Sequence, residues 1–426
     1  MGVVQNEIPA TMKRYCPITL SIRKLTHMST LNQGISGKTS VTVLVALSTF
    51  HLCNDALQSL VQSSYLNIQQ TFSLNYTGIG LITLCYQIAA SIFQPLVGWY
   101  TDRHPQPYSL PFGMFCSMIG LLTLAHASSY PMVLLAVVLI GIGSAIFHPE
   151  SSRLSYLGSG GRFGFAQSLF QVGGNFGSSL GPLIVAAWVV HMTDLSWFAL
   201  IPLVAMLMTL PICQWYKRQI HVIREKRKAA NLAKPTSPLP PRTVALSLCV
   251  LLVLIFSKYV YWASLGSYYM LYLKAKFQVP DDTALHCLFL FSFSVAAGTM
   301  IGGPIGDRIG RKYVIWVSIL GVAPFTMLLP HVNSLPLTCV LTVIIGLVLS
   351  SAFSAILIFA QELMPGKVGM IAGMFFGFAF GIAGISSAIL GRIADIHGIE
   401  YVYKLCSYLP LLGIFTIFLP NLRKSR

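Results

Sequence analysis

The chain has 426 residues, of which 55% are hydrophobic and only 9% charged, against roughly 25% charged in a soluble domain. So few charges cannot cover a water-exposed surface of this size, which excludes a soluble fold and leaves bilayer as the suitable solvent. The net charge of +16 raises the question of a nucleic-acid partner, and the placement of the charges along the chain answers it.

Residues 1–40 are polar and lack the continuous apolar core of a signal peptide, so a flexible cytoplasmic segment is expected there. Met28 offers a second start, which would make residues 1–27 an upstream extension. Gly37-Lys38-Thr39 imitates the end of a phosphate-binding loop, but Asn32 stands where the first glycine is needed. Apolar runs of about 20 residues then read as spanning helices. They fall at 41–63, 78–99, 109–127, 131–151, 162–190, 196–216, 243–272, 284–304, 312–331, 335–361, 367–391 and 400–420. The expectation is an all-α membrane protein with twelve transmembrane helices in two six-helix pseudo-symmetric halves, 41–216 and 243–420. A basic cytoplasmic linker at 217–242 joins them, and 421–426 is a cytoplasmic tail. The linker starts with a basic run and ends in a proline-rich stretch, suited to orientation and to contact with anionic headgroups.

With both termini cytoplasmic, 23 of the 28 Lys and Arg residues fall on the cytoplasmic side. That asymmetry is the positive-inside pattern, and it removes the need for a nucleic-acid partner. The nine cysteines stand singly, mostly in apolar stretches, and read as small buried hydrophobes.

The halves repeat one another. Gly98-Trp99-Tyr100-Thr101-Asp102-Arg103 closes the second span, and Gly302-Gly303-Pro304-Ile305-Gly306-Asp307-Arg308-Ile309-Gly310-Arg311-Lys312 closes the eighth. Phe147-His148-Pro149-Glu150 ends the fourth as Phe359-Ala360-Gln361-Glu362 ends the tenth, and Gly161-Arg162-Phe163-Gly164 opens the fifth as Gly366-Lys367-Val368-Gly369 opens the eleventh. Such order marks a six-plus-six repeat. Asp102, Arg103, Asp307, Arg308 and Arg311 are expected to form a conformational latch at the cytoplasmic face. Glu150, Arg153 and Glu362 are expected in gating salt bridges beside it, with His148 at the same end. The first copy is weaker, because His104-Pro105-Gln106-Pro107 replaces its basic tail. Glycines recur every four residues in the fifth span (Gly173, Gly177, Gly181) and the eleventh (Gly369, Gly373, Gly377, Gly381). They permit close helix packing or a sliding role.

Ionisable groups inside a bilayer are costly and seldom idle. His51, Asp55, Gln58 and Gln62 share one face of the first span, Gln167, Gln171 and Asn175 one face of the fifth. Lys258 sits mid-way along the seventh, followed by Tyr261, Trp262, Tyr268 and Tyr269. These faces suit the walls of a water-accessible cavity; the alternative is a set of interhelical hydrogen bonds. No metal-ligand spacing, nucleophile elbow or nucleotide loop occurs, so neither metal nor enzyme chemistry is expected.

Four stretches carry a family resemblance: His51-Leu52-Cys53-Asn54-Asp55, Phe147 to Arg153, Gln171 to Pro182 and Ile301 to Trp316. On these the chain resembles the major facilitator superfamily, and within it bacterial inner-membrane drug-efflux transporters, over residues 41–420. The resemblance implies export of an antibiotic-like small molecule by proton antiport, with no cofactor beyond the proton gradient; twelve spans suffice for a complete pathway, so a monomer is expected. It implies that Lys258 attracts the anionic head of a phosphonate while Gln58, Gln171, Asn175, Tyr261 and Trp262 complete the substrate site. Asp55, with His51, would then carry the proton. The same fold serves uniporters and importers of sugar phosphates or organic acids. A membrane sensor that transports nothing is the remaining alternative, and mid-membrane Asp and Lys argue against it.

Overall fold

The computed structural model describes residues 39–64, 68, 71–74, 76–188, 192–229 and 239–422. The N-terminal segment to residue 38, the proline-rich stretch at 230–238, the last four residues and the side chain of Gln62 lie outside the described residues.

Among the described residues twelve helical rods follow one another. The first half comprises α1 (Val41–Ser63), α2 (Tyr76–Arg103), α3 (Ser109–Ala125), α4 (Tyr130–Gly158), α5 (Phe163–Trp188) and α6 (Leu200–Ala229). The second half comprises α7 (Pro241–Phe277), α8 (Asp281–Ile309), α9 (Arg311–His331), α10 (Leu335–Leu363), α11 (Val368–His397) and α12 (Ile399–Phe418). Eight of them, α4 and α6 to α12, are long and apolar enough to cross a membrane, and α3 is a shorter apolar helix. The other three have 23, 28 and 26 residues. At 1.5 Å per residue even the shortest reaches about 35 Å, enough for a hydrocarbon core of roughly 30 Å. They also carry the polar faces, including His51 and Asp55 on α1 and Gln171 and Asn175 on α5. Ile92, Leu96, Phe293 and Ile417 are each more than half exposed, as residues that face lipid are.

The sixth helix outruns its apolar stretch. It continues to Ala229 through the basic run, because Lys, Arg, Gln and Glu are good helix formers and the next proline after Pro211, Pro235, comes only later.

The packing of the two halves is uneven. At the end that carries Asp102 and Asp307, one apolar core draws on both halves, joining Leu47, Phe147 and Phe170 to Leu254, Phe353 and Phe376. Toward the opposite end it divides. Leu57, Ile82, Leu121 and Val137 form a core of the first half alone, and Leu265, Phe291, Leu341 and Val402 form a core of the second. The halves therefore close at the Asp–Arg end and part at the other.

The two glycine ladders pack against different partners. Gly173 and Gly177 of α5 lie against the backbone of Ser48 and Leu52 of α1, inside one half. Gly369, Gly373 and Gly377 of α11 lie against Gly98, Gln94 and Ser91 of α2, across the halves. Along this second seam a Cβ has no room at Gly373 or Gly377 and would press on Asp102 Oδ1 at 3.1 Å from Gly369, but it would stand 3.8 Å from the Ser91 hydroxyl at Gly381. Replacing Gly373 with valine should overpack the tight part of the seam and cost the closed arrangement about 1–3 kcal/mol. Thiol labelling of a cysteine placed at buried Thr101, measured in membranes, should then rise by about 5- to 150-fold; unchanged labelling would show that the seam tolerates the added bulk.

Candidate functional site

A cavity of about 310 Å³ lies between the halves. Its walls differ in character. From the first half, α1 contributes His51 and Asp55, and α5 contributes Gln171 and Asn175. From the second half come Lys258, Tyr259 and Trp262 of α7, with Phe291, Phe353, Phe376 and Phe380.

His51 and Asp55 are one helical turn apart and share a face. His51 Nε2 lies 3.2 Å from Asp55 Oδ2. A second imidazole arrives from α4, with His148 Nε2 at 3.6 Å from Asp55 Oδ1. The other nitrogen of each ring is committed to backbone. His51 Nδ1 is 2.7 Å from the Phe170 carbonyl oxygen, and His148 Nδ1 is 2.9 Å from that of Ser144. A carbonyl oxygen can only accept, so both Nδ1 atoms donate and both Nε2 atoms are turned to the same carboxylate. Asn54 Nδ2 donates to Asp55 Oδ1 at 2.9 Å and holds it in place.

The three side chains bring their donor atoms within 4.8 Å of one another, which a metal ion could also use. No sequence spacing announces this group, because His148 belongs to a different helix. Charge separates the two uses. A divalent ion on a single carboxylate leaves net positive charge among Phe147, Phe170 and Phe376, whereas one proton leaves the group neutral. The donor set suits a proton better.

Across the cavity Lys258 is 4% exposed. Its Nζ has the Ser350 carbonyl oxygen at 3.5 Å, and among the described residues no carboxylate pairs with it. The rings of Tyr259 and Phe353 lie 5.5 Å from Nζ and that of Trp262 lies 6.0 Å away. Aromatic faces soften the burial of an ammonium but do not neutralise it. A small anion would.

The expected wall residues separate into two groups. Gln171, Asn175 and Trp262 line the cavity, and Asn175 Nδ2 crosses it to Thr299 Oγ1 at 3.3 Å. Gln58 and Tyr261 do not line it. Gln58 Nε2 donates instead to Ser144 Oγ at 2.9 Å, behind His148, and Tyr261 is buried in the second half's own core. Tyr259 and Tyr261 flank, on opposite sides, the helical face that Lys258 and Trp262 share at i and i+4, and the packing turns the Tyr259 side to the cavity and the Tyr261 side to the core. Sequence reasoning missed Tyr259, the phenylalanines and the inward turn of His148, since an aromatic in an apolar span carries no sign of the face it takes.

The latch is built differently from an Asp–Arg pair. The Asp102 carboxylate accepts from the backbone N–H of Gly369 at 3.0 Å and of Met370 at 2.8 Å, in the first turn of α11. Asp307 does the same for Gly164 at 3.0 Å and Phe165 at 3.1 Å, in the first turn of α5. Each half thus caps a helix of the other, where unpaired amides and the helix dipole favour negative charge. Arg311 joins Asp307 at 3.0 Å to Glu362 at 3.2 Å, and Arg153 pairs with Glu150 at 2.6 Å while flanking Gly369 beside Asp102. Arg103 and Arg308 are exposed. Arg103 lies over the Trp99 ring at 4.0 Å, and neither arginine joins the latch among the described residues.

The family model described as Major Facilitator Superfamily matches residues 47–280 and 246–426. The chain belongs to the major facilitator superfamily. It is 54% identical over 388 residues to the fosmidomycin resistance protein of Escherichia coli, covering 91% of this chain and 94% of that protein. It is 37% identical over 393 residues to YfnC, an uncharacterized MFS-type transporter of Bacillus subtilis, covering 92% and 95% respectively. Its fold is shared with FucP in the outward conformation, with a TM-score of 0.67 and 14% identity over 90% of this chain and 99% of that one. The human organic anion transporter MFSD10 gives 0.68 and 15% over 90% and 100%. This superfamily member is therefore a multi-pass membrane transporter with two pseudo-symmetric six-helix halves, not an enzyme.

Two predictions follow from the geometry. A Cβ at Gly174 would collide with His51 Nε2 and stand 2.7 Å from Asp55 Oδ2, so Gly174→Ala should reduce transport by about tenfold or more with normal protein in the membrane. Asp102→Ala and Asp307→Ala should each weaken the closed end by about 0.5–2 kcal/mol, read as increased distance between spin labels on α2 and α11.

Proposed function

We propose that this transporter exports a small anion from the cytoplasm in exchange for protons, by alternating access across the bacterial inner membrane, with fosmidomycin as the first substrate to test. The observation that carries this reading is the opposed placement, in one cavity, of a Lys258 that no carboxylate pairs among the described residues and an Asp55 held between two histidines. The 54% identity to the fosmidomycin resistance protein selects the candidate.

The distribution of Lys and Arg makes the Asp–Arg end cytoplasmic and places both termini there. The halves, 41–216 and 243–420, rock about the linker between them. Lys258 draws the anionic head of the substrate, Trp262 covers its apolar part, and Gln171 and Asn175 offer hydrogen bonds. Gln58 acts from behind, through Ser144, and Tyr261 supports the wall. Asp55 and His51 carry the proton, so no cofactor is needed beyond its gradient. Asp102, Asp307 and the Glu150–Arg153 and Arg311–Glu362 pairs hold the cytoplasmic gate, with Arg103 and Arg308 at its surface. One twelve-helix bundle encloses the pathway, which suits a monomer. The energetics have the right sign: an anion moving out and a proton moving in release roughly 4.6 kcal/mol per 100 mV for two elementary charges.

Cells expressing the protein should accumulate little fosmidomycin, and a protonophore should raise that level. Asp55→Asn should abolish proton-driven export while the protein still reaches the membrane, and normal resistance in that variant would sink the assignment. Lys258→Met should weaken binding by about tenfold or more, equivalent to about 1.4 kcal/mol, as measured by titration of the purified protein.

A further inference from the structure

Among the described residues, the ring contacts of the His51–Asp55–His148 group reach the second half through His148. The rings beside His51 belong to the first half: it stacks on Phe170 at 4.0 Å and bonds the carbonyl of that residue. His148 is also on a first-half helix, yet its ring lies 5.1 Å from Phe376 and 5.3 Å from Phe380. Both phenylalanines are on α11, the second-half helix that forms the glycine seam. The imidazole is completely buried. Parting the halves at that seam would leave the His51–Asp55 contact intact and strip two rings from His148.

We propose that His148 is the member of the proton site that couples it to the closing of the halves, with Phe376 and Phe380 as the seal over it. The inference rests on the proton-exchange reading above. In the closed state the neutral group holds one proton in two Nε2–carboxylate contacts. The shorter contact, 3.2 Å at His51, takes it, and the longer, 3.6 Å at His148, is left with a bare nitrogen. A second proton on His148 would put unbalanced positive charge in a dry pocket. When α11 withdraws, water replaces the phenylalanines. The proton then passes from the His51–Asp55 contact to His148 Nε2 and on to water, leaving the ring neutral.

The surroundings of His148 leave it few other partners. From α1 it faces His51 and Asp55. On α4 its neighbours Glu150 and Arg153 are taken up with each other at 2.6 Å. From α5 the cavity receives the uncharged Gln171 and Asn175, α11 presents phenylalanines, and Lys258 of α7 lines the same cavity.

The test uses the purified protein in proteoliposomes containing a pH-sensitive dye, with fosmidomycin as the probe. His148→Gln should bind fosmidomycin as the unsubstituted protein does, yet lose at least about tenfold of the protons moved per substrate, an ordinary size for coupling between two sites. The double variant Phe376→Ala with Phe380→Ala should leak protons without substrate. A structural role for His148 would change neither ratio nor leak. Coupling unchanged in His148→Gln, or a double variant as tight as the original, overturns the inference. Should His148→Gln not reach the membrane, the leak of the double variant decides alone, its presence supporting and its absence overturning. If the unsubstituted protein moves no protons with substrate, the exchange reading fails and this inference with it. If it does and the variants match it, only this inference falls.

Discussion

Four hydrogen bonds from backbone amides to two carboxylates hold the closed end of the molecule together. Asp102 binds the first turn of α11 and Asp307 the first turn of α5. The donors are peptide groups that a helix start leaves unpaired in any case, so the bonds form with little local rearrangement. They are also breakable, because water can satisfy the same amides when the halves part. A latch of this kind is stronger than a surface ion pair, which is worth about 0–1 kcal/mol, and weaker than a packed core. The paired arrangement follows from the pseudo-symmetry, since the second helix of each half caps the fifth helix of the other.

Those caps require close approach, and the glycines supply it. Gly98 meets Gly369, and Gly164 meets Gly303, with no room for a Cβ at either crossing. The same side-chain-free backbone that brings the aspartates to the amides also leaves no interlocking side chains to hold the crossing when the caps release. The α5 ladder against α1 uses equal spacing for the contrary purpose, fixing His51 and Asp55 to the helix that carries Gln171. Identical spacing therefore joins two helices inside a half on α5 and across the halves on α11, according to which helix lies opposite.

The cavity obeys the same constraint that a low-dielectric interior places on any charge. On the first-half wall the charge is compensated locally, by two imidazoles and an amide around one carboxylate. On the second-half wall it is left open, with a buried ammonium facing aromatic rings. In the exchange proposed above, the compensated site would take and release a proton, and the uncompensated one would attract an anion entering from water.

The amino-acid sequence by itself determined the solvent, the number of helices, the two-fold repeat and the chemistry of the polar faces. Each of these is a matter of local composition or of spacing along one helix: apolar runs of membrane length, the recurrence of Gly-x-x-x-Asp-Arg, and His51 with Asp55 one turn apart. Even the partners of the latch were written as repeats, in Gly164 and Gly369, although nothing said that aspartates of the opposite half would bind them. The tertiary structure alone decided which faces meet. It turned His148 from the gate toward Asp55, removed Tyr261 from the cavity in favour of Tyr259, gave Arg311 rather than Arg308 to Asp307, and sent Gln58 to Ser144. A residue's helix and rotation can be counted along the chain, but the helix opposite it is chosen by the packing of the whole bundle. A buried charge takes its role from whatever that packing sets within a few ångströms of it.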